Sequence, residues 1–305
     1  MITPRNFLGL DAFHAQELRG IIDCAKDLKK DQTFSANVLA GKTLAMIFEK
    51  PSTRTRISFD IAMSQLGGRV VSLSTKELQL GRGETLADTA RVLSRYVDAI
   101  VMRTDSHQSL LEFANASSVP VINGLTNLTH PCQLLADVMT FEEHLGSIRN
   151  KVVAWLGDGN NVAATWVQAA TQFDFEMRIA CPKPLMPNQE ILLWAEQRGA
   201  KIVVTSDPFL ALDGANCVVT DTWVSLSDNQ NKSVDLLKPF QVDSKKMLAA
   251  SSNAIFMHCL PAKRGQEVTE DVLDGPLSVV FDEAENRMHV QKAILLWCLA
   301  PEELS

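Results

Sequence analysis

An apolar run at residues 43–48, TLAMIF, passes into Glu49-Lys50-Pro51-Ser52-Thr53-Arg54-Thr55-Arg56 and then a pattern with Ile57, Ile61 and Leu66 on or near one helical face. A short continuous apolar run suits a buried strand, and the wider spacing behind it suits a helix. Strand, hydroxyl-rich turn and helix start constrain this stretch to a β-turn-α unit, whose natural setting is a parallel sheet. The first N–H groups of a helix lack internal partners and lie at the positive end of its dipole, so the turn reads as a phosphate seat. Ser52, Thr53 and Thr55 add hydroxyl donors, and Arg54 brings a fork able to make two parallel hydrogen bonds. A Ser or Thr after Pro is also an ordinary N-cap. Two arginines crowded at a helix start, however, oppose its dipole unless an anion is present. Two positions apart, they point to roughly opposite sides, which puts Arg54 on the ligand and ties Arg56 into structure.

The same alternation continues along the chain. Strands are predicted at 43–48, 69–73, 99–102 and 119–122, with helices at 16–29, 53–65, 85–95, 106–116 and 134–144. The pattern restarts near 145–151. Strands follow at 152–156, 177–180, 201–204, 217–220 and 254–257, with helices at 162–171, 189–198 and 290–299. The fold class is therefore α/β, as two similar-sized domains, 1–145 and 146–287, each a mostly parallel sheet flanked by helices. A cleft between such domains is the expected place for an active site.

Composition narrows the function classes. The 305 residues are 46% hydrophobic and 21% charged, the balance of a soluble globular protein. A net charge of −7 argues against nucleic acid or an anionic membrane as the main partner, and makes an anionic ligand depend on a local positive nest. No apolar run approaches the roughly 20 residues of a membrane span. No continuous apolar core marks a signal peptide near the N-terminus. Six scattered cysteines suit reduced thiols, and the expected location is cytoplasmic. Neither the cysteines nor the histidines show metal-ligand spacing, so no metal and no cofactor are expected.

Several residues stand where chemistry collects. Arg103 follows the run 99–102, at the carboxyl end of a parallel strand. His130 and Gln133, in His130-Pro131-Cys132-Gln133, suit donation to a carbonyl oxygen; a histidine before Pro also serves structure, and Cys132 suits packing. The loop 79–84 reads as a polar turn. Gly157-Asp158-Gly159-Asn160-Asn161 lies between a strand and a helix, but Val162 stands where a dinucleotide fingerprint needs its third glycine. The two asparagines suit a small polar ligand instead. Asp221 ends the strand 217–220, placed for a cationic amine. Cys259 follows the strand 254–257 and becomes a nucleophile only if its pKa is lowered.

Taken together, Phe48 to Phe59, Arg103, His130 to Gln133, Gly157 to Asn161, Asp221 to Ser225, His258 to Ala262 and Phe281 to Lys292 resemble the transcarbamoylases almost end to end, in order and spacing. The resemblance implies transfer of a carbamoyl group from carbamoyl phosphate to the δ-amine of L-ornithine, a step of arginine biosynthesis. It implies a first domain for carbamoyl phosphate, a second for ornithine, a final helix (288–305) returning to the first, and homotrimers or their multiples. Carried over by position, Ser52, Thr53, Arg54 and Thr55 hold the phosphate. Arg103, His130, Gln133 and Arg287 serve the carbamoyl end, with Gln79 reaching in from a loop, in a trimer even from a neighbouring subunit. Cys259 and Leu260 match the loop that orients amine and carbonyl, and so touch both ligands. Asn161, Asp221, Ser225 and Leu226 match ornithine contacts. Arg103, His130 and Cys259 are the expected catalytic residues.

One departure concerns the acceptor. Ser225-Leu226-Ser227 stands where ornithine enzymes usually carry Ser-Met-Gly, and Ser for Gly removes backbone freedom. Carbamoylation of N-acylornithine, putrescine or aspartate, or a non-catalytic protein binding phosphate or an amino acid, are the competing readings.

Overall fold

The computed structural model describes residues 4–31, 36–74, 83–224 and 234–304. They fall into two compact units, Met1–Ala136 with Arg287–Ser305, and Asp137–Asn286. The divisions lie inside two helices, one spanning residues 131–145 and one spanning residues 280–299.

In the first unit, α1 (Ala15–Lys30) leads to β1 (Thr43–Phe48), α2 (Thr53–Gln65), β2 (Arg69–Ser74), α3 (Leu86–Leu93), β3 (Ala99–Arg103), α4 (His107–Ala116), β4 (Val121–Leu125) and the start of α5 (Pro131–Leu145). The strands form a parallel sheet in the order β2-β1-β3-β4. β1 and β3 are central, hence their unbroken apolar sequence: both faces are covered. Ala45, Ile47, Ile100, Met102, Leu110 and Phe113 pack in one core cluster. Gly124 on β4 lies against its neighbour; a Cβ there would meet Val101 Cγ1 at 3.1 Å and Met102 O at 3.3 Å.

The second unit continues with β5 (Val152–Leu156), α6 (Asn161–Phe173), β6 (Glu176–Ala180), α7 (Gln189–Glu196), β7 (Ile202–Thr205), α8 (Pro208–Leu212), β8 (Cys217–Thr220), α9 (Ser244–Met247), β9 (Ile255–His258), α10 (Glu270–Leu273) and the start of α11 (Val280–Leu299). Its parallel sheet runs β7-β6-β5-β8-β9. Ala154, Leu156, Val218, Phe240 and Phe256 belong to its core. α6 is buried almost all round, as its composition requires.

α11 begins ten residues before the predicted 290. The polar stretch at its start hid the helix, because Glu283, Asn286, Arg287 and His289 are themselves buried. Within the second unit, Asn286 Nδ2 donates to Thr140 Oγ1 (2.8 Å) and Glu143 Oε2 (2.7 Å), and His144 Nε2 meets Asp282 Oδ2 at 2.8 Å. Within the first, the C-terminal part carries Trp297, whose ring lies 5.1 Å from Phe13 and under the Arg5 guanidinium at 4.4 Å. α5 likewise starts early, with Pro131 at its first position, where a missing N–H costs nothing. The short α8 and α9 escaped the periodicity, although Asp207 and Asp243 cap them.

Gly159, in the turn between β5 and α6, has no room for a side chain. A Cβ would lie 2.3 Å from Pro187 N and 2.6 Å from Leu185 O, both backbone atoms. Gly159→Ala is expected to cost about 1–3 kcal/mol, read by urea unfolding; unchanged stability would contradict this packing.

Candidate active site

β1 and β3 end side by side, with Phe48 paired to Arg103, so the turn after β1 and the Arg103 side chain leave the sheet at one carboxyl edge. Glu49 secures this edge: Oε2 accepts from Thr104 Oγ1 at 2.8 Å and from Asp105 N at 2.7 Å. Ser52 occupies the N-cap of α2, yet its hydroxyl makes no bond to the first turn. It accepts instead from Arg103 Nη1 at 2.8 Å. The same nitrogen lies 3.3 Å from Thr55 Oγ1, and Arg287 Nη2 donates to that hydroxyl at 2.8 Å. Arg287 Nη1 donates to Gln133 Oε1 at 2.9 Å, which fixes the amide's orientation. Two guanidinium groups thus converge on one buried hydroxyl. The first turn of α2 carries no acidic residue.

Arg54 is half-buried on that turn, its Nε shielded and without a hydrogen-bond partner among the described residues. Thr53 is exposed at the first helical position. Arg56 does not follow the prediction. It is exposed, and its side chain makes no hydrogen bond or ion pair among the described residues. His130 is buried immediately before α5, its carbonyl accepting from Leu134 N at 3.3 Å. Burial, then the charges of Arg287, Arg103 and Arg54, hold its ring well below the ordinary imidazole range, so it is neutral. The structure therefore gathers Ser52, Arg54, Thr55, Arg103, His130, Gln133 and Arg287 in the first unit. Gln79 lies outside the described residues, as do Ser225 and Leu226.

In the second unit, Thr220 Oγ1 donates to Leu156 O at 2.6 Å, joining the ends of β8 and β5. Asp221 follows, buried. Its Oδ2 accepts from Asn160 Nδ2 at 2.7 Å, and its Oδ1 from Thr222 N at 2.7 Å and Cys259 Sγ at 3.3 Å. Asn160 also caps α6, its Oδ1 accepting from Val162 N at 2.9 Å and Ala163 N at 3.1 Å. Asn160 was missed as a positioning residue; an Asn between a glycine turn and an apolar helix was the available signal. Asn161, the predicted contact, opens the helix and is half-buried. Desolvation, and then the Asp221 carboxylate, push the Cys259 thiol well above its usual range. It stays protonated and donates, which removes the nucleophile reading. Leu260 follows at φ 56°, in the left-handed region.

Asp221, His258 and Cys259 bring one oxygen, one nitrogen and one sulfur within 4.8 Å of one another, a grouping that linear spacing hid. Hydrogen bonds account for it: His258 Nδ1 accepts from Leu260 N at 2.9 Å, while the thiol is turned to Asp221.

The neutral His130 has a consequence for stability. Its folded value is lowered, so between that value and about 6.5 the unfolded chain binds more protons, and stability rises with pH across this window. His130→Gln, which titrates in neither state, is expected to flatten that part of the curve. Urea unfolding of both proteins at about pH 5 and about pH 7.5 measures it; equal slopes would contradict a neutral buried ring.

Comparison with known proteins agrees with this geometry. Residues 5–143 match the family description "Aspartate/ornithine carbamoyltransferase, carbamoyl-P binding domain", and residues 149–298 match its "Asp/Orn binding domain". An ornithine carbamoyltransferase of Rhodopseudomonas palustris (strain BisA53) is 55% identical over 304 residues, covering 97% of each chain. One from Brucella ovis is 54% identical over 299 residues, 97% of this chain and 96% of its own. Among solved structures, ornithine carbamoyltransferase from Pyrococcus furiosus superposes with a TM-score of 0.93 at 44% identity, covering 98% of this chain and 99% of that one. The anabolic enzyme of Campylobacter jejuni gives 0.90 at 42%, covering 96% and 98%. With both halves matched, the chain belongs to the aspartate/ornithine carbamoyltransferase family of transferases.

Proposed function

We propose that this protein transfers the carbamoyl group of carbamoyl phosphate to the δ-amine of L-ornithine, giving L-citrulline and phosphate. The observation that carries the donor half is the convergence of Arg103 and Arg287 on Thr55 at the start of α2. Like charges held together repel, and a bound dianion turns that repulsion into attraction. Ser52, Thr53, Arg54 and the first N–H groups of α2 take the phosphate. Arg103, the neutral His130 and the Thr55 hydroxyl face the carbamoyl oxygen, where negative charge grows as the tetrahedral adduct forms. Gln133, set by Arg287, takes the carbamoyl amide.

The acceptor half rests on Asp221. A buried carboxylate with three donors already in place suits an amine and opposes an acidic acceptor, which disfavours aspartate. The amine attacks as the neutral base, so its proton must leave first, and Asp221 orients the nitrogen through that change. Cys259 supports the carboxylate as a neutral donor, and attack is direct, with no covalent enzyme intermediate. Asn161, Ser225 and Leu226 complete the amino-acid contacts, and Leu260 and Gln79 complete those to the donor. Alignment of two bound reactants supplies much of the acceleration.

We place the reaction in arginine biosynthesis, in the cytoplasm, and the assembly as a homotrimer or a multiple of trimers. No helix of the described residues is long and apolar enough to cross a membrane. Ile57 and Ile61 on α2, Val71 on the edge strand β2, and Tyr96 are exposed apolar side chains of the first unit, surface that subunit contact would cover.

An acceptor panel with carbamoyl phosphate tests the reading. Ornithine is expected to give citrulline and phosphate with kcat/KM about 100-fold or more above acetylornithine, putrescine and aspartate, the discrimination a built polar site provides. Turnover of acetylornithine but not ornithine would overturn the acceptor; ligand binding with no phosphate release from both substrates would overturn the enzyme. For the donor seat, Arg54→Ala is expected to lower kcat/KM for carbamoyl phosphate about 10²–10³-fold with thermal stability retained; wild-type kinetics in that variant would contradict it.

A further inference from the structure

The segment bearing Cys259 and Leu260 is held by two side chains that the mechanism has not used. His258 and Glu267 are both fully buried. His258 Nδ1 accepts the Leu260 N–H at 2.9 Å. Glu267 Oε1 accepts the Lys263 N–H, and the same oxygen lies 3.4 Å from His258 Nε2. The His258 N–H itself donates to Glu283 Oε2 at 2.9 Å. Residues 259–262 are therefore bracketed by an imidazole at one end and a carboxylate at the other, and the two brackets face each other. Because Nδ1 accepts a hydrogen bond, it is Nε2 that is left to face Glu267 as the ring's donor nitrogen.

This clamp meets a specific need. Leu260 sits at φ 56°, a left-handed conformation that is unfavourable for a residue with a side chain and persists only where its surroundings impose it. The bond that imposes it comes from the residue two positions back, and it fixes the backbone next to the Cys259 thiol aimed at Asp221.

We propose that His258 and Glu267 are positioning residues of the acceptor site: together they hold residues 259–262 in the strained conformation that aims Cys259 at Asp221. This rests on the reading of the second unit as the acceptor site. Neither residue touches substrate. The clamp sets how well the amine is received; the donor is held chiefly by the seat built in the first unit, to which Leu260 adds one contact.

Two substitutions of His258 separate positioning from mere packing. Asn places its Oδ1 where Nδ1 stands and keeps the Leu260 bond while losing Glu267. Gln is closer to histidine in volume and keeps a donor near Nε2, but loses the Leu260 bond. Steady-state kinetics of folded protein are expected to show His258→Gln raising the ornithine KM about tenfold, the worth of one hydrogen bond, and His258→Asn raising it only two- to threefold. At Glu267, Gln keeps an acceptor for Lys263 N–H and is expected to rescue most of the roughly tenfold rise in KM produced by Glu267→Leu. Carbamoyl phosphate affinity, measured on free enzyme, is expected to stay within about twofold throughout. The reverse order, with Gln better than Asn at 258, or a parallel loss of carbamoyl phosphate affinity, would overturn the clamp. Should His258→Gln fail to fold, the Glu267 pair decides: equal KM values for its Gln and Leu variants would overturn the proposal. A wild-type enzyme that carbamoylates a different amine overturns the acceptor reading instead, and the clamp is then read in the KM of that amine.

Discussion

The donor seat of the first unit depends on the approach of two guanidinium groups to the hydroxyl of Thr55. Arg103 arrives from the end of a central strand and Arg287 from a helix 232 positions farther along the chain than the threonine. Cations do not gather unaided, so the fold must hold them. Register between β1 and β3 sets one, the return of α11 sets the other, and Glu49 stiffens the loop edge beside them. The imidazole of His130 responds by giving up its proton, becoming a neutral dipole where a third or fourth charge would be expelled. A protein of net charge −7 thereby owns a small region of opposite character.

The second unit solves the converse problem. There the focal group is a carboxylate, and it is settled by three donors of different kinds: an amide side chain, a backbone N–H and a thiol. None of the three carries a charge, so Asp221 is oriented toward an incoming amine without a paired cation among these donors. Asn160 links this arrangement to the helix macrodipole by capping α6 with one end of its amide and steadying Asp221 with the other.

How much of this could be read in advance depended on whether a residue's role was written in local pattern. β1, β5, β8 and α2 were legible to their end residues, since continuous apolar runs and a proline-flanked turn leave little choice. The resemblance to transcarbamoylases rested on the same local runs. The start of α11 was illegible because its buried face is polar, and burial of Glu283, Asn286 and Arg287 is a tertiary fact. Arg56 was assigned partners it lacks among the described residues, as spacing fixes direction on a helix but not what waits there. For Cys259 only the surroundings set the proton affinity, and desolvation beside a carboxylate raised it. The bracket of His258 and Glu267 joins residues nine apart across a loop, a distance no periodicity reports.

The division of the chain bears on its birth at the ribosome. The second unit is one uninterrupted stretch, whereas the first is split, its second portion being made after the whole of the second unit. Arg287 and the helix behind it emerge only after the entire inner stretch has been made, so the earlier portion waits, incomplete, with an apolar surface that Trp297 and its neighbours will later cover. A chain without residues 287–305 would thus hold every segment of the second unit, while Phe7 and Phe13 of the first would lack the Trp297 ring against which they pack.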